Sequence, residues 1–260
     1  MTPALPDVPV VERQIIALTN EFRAEERLKP VRRNAQLDRA AIDYARLLAT
    51  TDQFAHDADG QGPENRVTKA GYGYCQIAEN LALHLNSRGF SSDNLAELAM
   101  EGWINSPGHR RNLLQPHVTE IGIAVVRAPD KHPKYISVQL LGRPQSEAYS
   151  FQVSNSSKTT ITYGYAGEDH NVKPGFAVRH SDCIPHTLQF KSAKQAGKQS
   201  KLNAKYQAAD GSVYVVKGKT TAAVAVSVEQ KRTLSRNKVR RRPPQAASKP
   251  IAPPPPSRPW

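Results

Sequence analysis

Apolar residues recur along the first half of the chain at the spacing of a helix. Val11, Ile15, Leu18 and Phe22 fall on one face, glutamate and arginine fill much of the rest, and Pro30 closes the run. Leu37, Ala41, Tyr44 and Leu48 mark a second helix, read over 38–50. A polar loop over 51–61 follows, then a short helix over 63–69 with Gly71 just beyond its end. Asp93 is the expected N-cap of a helix reaching Ile104, with Leu95, Leu98, Ala99 and Trp103 on its inner face. Ser106-Pro107 opens another short helix, serine as cap and proline as first residue. The runs 119–127 and 134–141 read as two strands joined by the turn 128–133.

From Tyr149 onward only strand patterns appear. The runs 151–153, 159–163, 175–178, 187–190, 204–207, 212–217 and 222–228 are short, and several are bounded by glycine, proline, aspartate or asparagine. Such spacing predicts a small sandwich or barrel. From Glu229 the chain carries nine basic side chains against one acidic, then Pro253 to Pro256, with almost no large apolar residue, so a disordered, partly extended tail is expected. Charge divides along the same line. Residues 1–148 hold 17 basic and 18 acidic side chains, and residues 149–260 hold 19 and 5, so the net +13 belongs to the second part. The predicted organisation is an N-terminal extension over 1–10, a mixed domain over 11–145, a β-rich domain over 149–228 and a basic, proline-rich tail over 229–260.

Composition excludes several classes. No stretch approaches the roughly 18 apolar residues of a membrane-spanning helix, which argues against an integral membrane protein. Two cysteines are too few for a disulfide scaffold or a four-cysteine zinc site. Neither Gly-x-Ser-x-Gly nor His-Glu-x-x-His occurs, which counts against a serine hydrolase or a zinc protease. Met1 to Pro9 has no basic start and no apolar core, so no signal peptide is visible in the chain as given. The basic tail reads first as a spacer and second as a contact for anionic surfaces, lipid headgroups or acidic envelope polymers. Nucleic acid ranks last, because no aromatic residues interleave with the charges around Arg240, Arg241 and Arg242.

Candidate chemistry gathers at two places. In the first half, His56 sits in a polar loop, Glu79 precedes Asn80 and an apolar run, and His109 lies in the first turn of a helix. A helix N-terminus disfavours the protonated imidazole, and neutral imidazole is the metal-binding form. Two histidines and a carboxylate suit a zinc-like divalent ion, while spacing alone favours unrelated surface histidines. In the second half, His180, Cys183 and His186 are spaced as a low-ranked second metal site, with His170 ten residues earlier. A Cys75–Cys183 disulfide is the rival use of that cysteine in an oxidising compartment, and unpaired thiols are the default.

Five motifs fall in a fixed order: Asn20-x-x-Arg23, Phe54-x-His56 with Gly60, Ala78-Glu79-Asn80, Trp103 followed by Ser106-Pro-Gly-His109-Arg-x-Asn-Leu-Leu114, and Thr119-Glu-Ile-Gly-Ile123. Over about Val11 to Arg143 this resembles the CAP superfamily, which includes the cysteine-rich secretory proteins, antigen five and pathogenesis-related proteins. The bacterial, SCP-like extracellular branch is the nearer likeness. The resemblance implies an α+β fold: a three-layer α-β-α sandwich, here followed by the small all-β domain and the tail. It also implies secretion to the periplasm or the cell exterior, and a cleft of two histidines and two acidic residues that holds a divalent metal in some members. His56, His109 and Glu79 match three of those positions, but Ser106 stands at the fourth.

The resulting expectation is a binding or recognition protein that requires no cofactor. Its cleft comprises His56, Glu79, Asn80, His109 and Glu120, with His56 and His109 able to hold a zinc-like ion. A lipid-like small amphiphile or a cell-envelope component is the candidate partner. Asn20, Arg23 and Asn80 read better as hydrogen-bonding supports than as ligand contacts, and Glu120 is divided between capping a loop and lining the cleft. A metal-assisted hydrolase using Glu79, His56 and His109 is the enzymatic alternative. The missing carboxylate leaves it short of either a ligand or a general base, so the reading leans away from an enzyme. An envelope adhesion module, with the β domain as the adhesive part, is the third.

Overall fold

The computed structural model describes residues 4–51, 53–191, 194–195, 198–199, 203–218 and 224–230. Helix α1 (Val8–Glu25) is capped by Asp7, which accepts from the Val10 N–H at 3.3 Å. The N-terminal extension therefore ends before residue 8, and Ala4 forms a parallel bridge with Gly89. After β1 (Arg32–Arg33), Asn34 caps α2 (Ala35–Thr50) by accepting from the Gln36 and Leu37 amides. There follow α3 (Pro63–Lys69), β2 (Tyr74–Leu85), α4 (Ser92–Asn105), α5 (Pro107–Leu113), β3 (Glu120–Arg127) and β4 (Lys134–Pro144). Two expected caps differ. Ser91, not Asp93, accepts from the Asn94 N–H and starts α4. The Ser106 hydroxyl makes no cap bond on α5, where the backbone carbonyl of Ser106 takes the Arg110 N–H instead.

The four strands order as β1-β3-β4-β2, parallel between β1 and β3 and antiparallel elsewhere. Strand alternation sends successive side chains to opposite faces. Ala78, Ile121, Ile123, Val125 and Leu141 pack with Val11, Ile15, Leu95, Trp103 and Leu113 of α1, α4 and α5. Leu81, Ala124, Ile136, Val138 and Leu140 pack with Leu37, Tyr44 and Leu48 of α2 and Val67 of α3. Helices thus cover both faces of one sheet, the three-layer α-β-α arrangement. Helix α2 comes closest over Gly122, where a Cβ would stand 2.3 Å from the Leu37 carbonyl carbon.

Both edges of this sheet are finished by side chains. On β2, the Trp103 indole N–H donates to the Leu81 carbonyl at 3.0 Å and Asn112 Nδ2 donates to the Glu79 carbonyl at 2.9 Å. Beyond the two-residue β1, the Ile123 amide donates to Asp38 Oδ1 at 3.0 Å and the Val125 amide to Glu12 Oε1 at 3.3 Å. Arg33 holds these two carboxylates together, 2.7 Å from Asp38 and 2.8 Å from Glu12. Arg23, fully buried on α1, donates to the carbonyls of Lys29, Leu113, Gln115 and Val118, and so ties α1 to the segment after α5.

The remaining strands are β5 (Tyr149–Ser157), β6 (Ile161–Tyr165), β7 (Glu168–Val172), β8 (Ala177–Asp182), β9 (Thr187–Lys191), β10 (Lys194–Gln195), β11 (Lys198–Gln199), β12 (Lys205–Gln207), β13 (Ser212–Gly218) and β14 (Val224–Gln230). They form two four-stranded sheets, β12-β9-β6-β7 and β14-β13-β5-β8, and the β10-β11 hairpin. Phe151, Val153, Tyr163, Phe190, Tyr214 and Val216 make up much of the core between the two sheets. The sequence pattern overlooks β7 because its residues, Glu-Asp-His-Asn-Val, are polar up to the last one, as suits an exposed edge. Glu229 and Gln230 belong to β14 rather than to the tail, and the rest of the predicted tail, 231–260, lies outside the described residues.

The two parts meet at a covalent joint and a hydrogen-bonded one. Cys75 on β2 is disulfide-bonded to Cys183 just after β8, with Cα atoms 5.3 Å apart and a sequence separation of 108. Arg143 on β4 donates to the Cys183 carbonyl at 2.7 Å and pairs with Glu147 at 2.8 Å. A cross-link closing so long a loop restricts the unfolded chain strongly. The double variant Cys75→Ser, Cys183→Ser should lose about 2–4 kcal/mol, read as a lower guanidinium midpoint. Equal midpoints for oxidised and reduced wild type would show that Arg143 and packing hold the joint without the bond.

Candidate functional site

Glu79 lies on β2 with its side chain on the α2–α3 side of the sheet, and it is 5 % exposed. A carboxylate so buried needs a partner, and Arg66 of α3 supplies it. Arg66 Nη2 lies 3.0 Å from Glu79 Oε1 and 2.8 Å from Oε2. The same guanidinium donates to Asp59 Oδ1, to the Gln61 carbonyl and to the His56 carbonyl at 2.9, 2.9 and 3.0 Å. It stacks 3.5 Å over the ring of Tyr44 on α2. The Tyr44 hydroxyl donates to the Ala55 carbonyl and accepts from the Ala58 N–H. The whole His56 loop is therefore pinned from beneath by one arginine and one tyrosine. Asp59 of that loop is one of the arginine's partners.

His56 stands at the rim. Its Nδ1 lies 2.8 Å from Glu79 Oε1 and its side chain is 54 % exposed. The hydrogen bond to Glu79 raises its pKa above the ordinary value, against the opposing effects of burial and of Arg66. His109, half-buried in the first turn of α5, has its ring 6.4 Å from that of His56. Burial first, and the His56 charge second, push His109 below the ordinary value. The two histidines come from opposite sides of the sheet and meet past its free edge, because α5 runs beside β2. Phe54, exposed in the same loop as His56, adds an apolar surface.

What fixes α5 there is a chain of buried amides. Asn112 Nδ2 donates to Asn80 Oδ1 at 2.9 Å, Asn80 to Gln139 Oε1 at 2.9 Å, and Gln139 to Thr19 Oγ1 at 3.0 Å. Asn80 is fully buried within this chain, so it supports the cleft and does not line it. Glu120 is also elsewhere. It starts β3, with β4 between it and β2, and accepts from Tyr72 Oη at 2.8 Å and Asn34 Nδ2 at 3.2 Å beside a separate groove. Asn20 braces a loop by exchanging hydrogen bonds with Val31.

The second metal candidate is taken apart by its own residues. Cys183 is in the disulfide and offers no thiolate. His180 Nε2 is 2.6 Å from Tyr163 Oη, and His186 lies 3.7 Å from Asp182. Nor do the residues of the main cleft form a metal cradle. The carboxylate that a divalent ion would use is held on both oxygens by a buried arginine, and one of those oxygens also meets His56. A dication would sit against that guanidinium charge. Among the described residues no group of three or more His, Cys, Asp or Glu side chains is placed to hold a metal ion. The sequence pattern shows Tyr44 only as a helix-face residue and Asn112 only as part of a motif, and it does not single out Arg66 or Gln139. Only the position of Arg66, in the helix just after an aspartate-rich loop, hinted at a role.

The first part of the chain is similar to known proteins. Residues 16–141 match the family described as "CAP: Cysteine-rich secretory protein family". The uncharacterized protein YkwD of Bacillus subtilis (strain 168) is 28 % identical over 128 residues, 49 % of this chain and 47 % of its own length. The crystal structure of an extracellular protein containing a SCP domain from Bacillus anthracis str. Ames is similar at 28 % identity and a TM-score of 0.43, covering 52 % of this chain and 41 % of that one. A cysteine-rich secretory protein (SAV1118) from Staphylococcus aureus gives 25 % identity and a TM-score of 0.40, covering 53 % and 40 %. This chain thus spans less than half the length of each of these relatives. No helix among the described residues is long and apolar enough to cross a membrane. Residues 16–141, just under half of the chain, are thus similar to the cysteine-rich secretory protein, or CAP, family.

Proposed function

We propose that this chain is a binding protein of the periplasm or cell exterior, whose cleft at His56 and His109 takes a small anionic amphiphile without metal or turnover. The observation that carries this reading is the state of Glu79. Its charge is balanced by Arg66 and its oxygens are occupied, so it is neither a free ligand nor a free general base. His56 is the ring whose hold on a proton is strengthened, by Glu79, and His109 the ring whose hold is weakened, by burial, while Phe54 is exposed in the same loop as His56. A protonated His56 in a loop that also exposes an apolar ring suits an anionic headgroup with a short acyl chain. Placement outside the cytoplasm rests on the family and on a disulfide, a bond that persists in oxidising compartments.

Calorimetric titration with laurate tests the reading. Binding should survive chelator and weaken about tenfold in His56→Ala, the loss of one charge-assisted contact. Esterase turnover that chelator abolishes and added metal restores would overturn it.

Titration of the two rings is a separate check. NMR of the imidazoles should place the His56 midpoint above the usual 6.5 or so and the His109 midpoint below it. Glu79→Gln should lower the first, and His56→Ala should raise the second. A group whose pKa rises on folding stabilises the fold below its unfolded value and loses that contribution as pH climbs through the folded one. The His56–Glu79 contact should thus weaken from neutral pH upward, and a His56 midpoint unmoved by Glu79→Gln would contradict the assignment.

A further inference from the structure

We propose that the groove between α2 and α3 is a second binding site, for a zwitterion of amino-acid or dipeptide size. The groove is about 260 Å³ in volume. That is just below the usual range of small-molecule sites, roughly 300–1,000 Å³, and suits a ligand on the order of ten heavy atoms. Arg39 and Asp43 lie one turn apart on its α2 wall, and Lys69 lies on its α3 wall. Opposite charges four residues apart on a helix commonly pair. Here Arg39, Asp43 and Lys69 make no ion pair or side-chain hydrogen bond among the described residues, and Arg39, Asp43 and Lys69 are all exposed. Two free cations and one free anion therefore border a single concavity that also has apolar lining from Leu47.

The backing of the groove strengthens the case. Arg66 lines it, with a side chain 8 % exposed and a buried Nε–H that has no acceptor. Its other nitrogens are committed to Asp59, Glu79 and the loop carbonyls, so those carboxylates are not available to neutralise Arg39 or Lys69. The charge pattern asks for a ligand carboxylate at the two cations and a ligand ammonium at Asp43. An amino acid or dipeptide carries both groups at short range. This site is distinct from the histidine cleft: Asp59 and Gln61 of the pinned loop line the groove, whereas His56 faces Glu79 and His109.

The test uses the full chain and three probes: alanyl-alanine, its N-acetyl derivative and its C-terminal amide. Alanyl-alanine should shift the amide NMR signals of residues 39–47 and 66–70 and bind about tenfold more tightly than the C-terminal amide. The N-acetyl form should be weakened less, since it keeps the carboxylate that two cations hold. Arg39→Ala and Lys69→Ala should each weaken alanyl-alanine about tenfold, with unchanged melting temperatures because both side chains are exposed. Equal affinity for all three probes, unchanged affinity in both variants, or shifts confined to residues 54–57 and 107–113 would each overturn the proposal.

Discussion

The buried pair of Arg66 and Glu79 is the constraint from which the cleft follows. Neither charge is tolerable alone at such depth, and removing one partner of a buried pair typically costs about 3–5 kcal/mol. Arg66 reaches Glu79 while lying across Tyr44, and there it gathers the His56 loop through two carbonyls and Asp59. His56 is then left with one carboxylate oxygen to meet, which sets its proton affinity. The same contacts that build the loop thus remove the free carboxylate that hydrolysis would need.

Much of what looks like a binding signature in the sequence is a solution to the problem of sheet edges. An open strand edge invites pairing with other chains. Here side chains take the place of the missing neighbours: donors from Trp103 and Asn112 on one side, acceptors from Asp38 and Glu12 on the other. Asn112 serves twice, closing the edge and anchoring the amide chain that holds His109's helix in place. Fold and site therefore share residues, and substitution of Asn112 would disturb both.

Legibility in the sequence tracked the range of each interaction. Helical faces and the alternating strands were readable because burial repeats with the period of the element, as at Val11, Ile15 and Phe22. Ser91 and Asp93 are both good caps two residues apart, so the choice between them depended on how the chain enters α4. Strand β7 was hidden because an edge strand needs no apolar run. His56, Glu79 and His109 were found through motif order, not through spacing. The Arg66 clamp was not legible, because its partners at 44, 56, 59, 61 and 79 come together only once the loop has folded. Glu120 was misplaced for a related reason: strand order, which puts β4 between β3 and β2, is not written in local pattern.

The joint between the two parts also determines how mechanical load travels. The chain leaves the α-β-α domain at the end of β4, and the disulfide leaves it from Cys75 at the start of β2. These exits are side by side, since Tyr74 is paired with Pro144 across the two strands. A pull on the sandwich is therefore shared by both strands at the same end, and they move together without shearing. Such a pull would leave in place the register that sets Glu79 opposite Leu140. With the bond reduced, the same pull would act on β4 alone, and β2, which carries Glu79, would become the strand left behind.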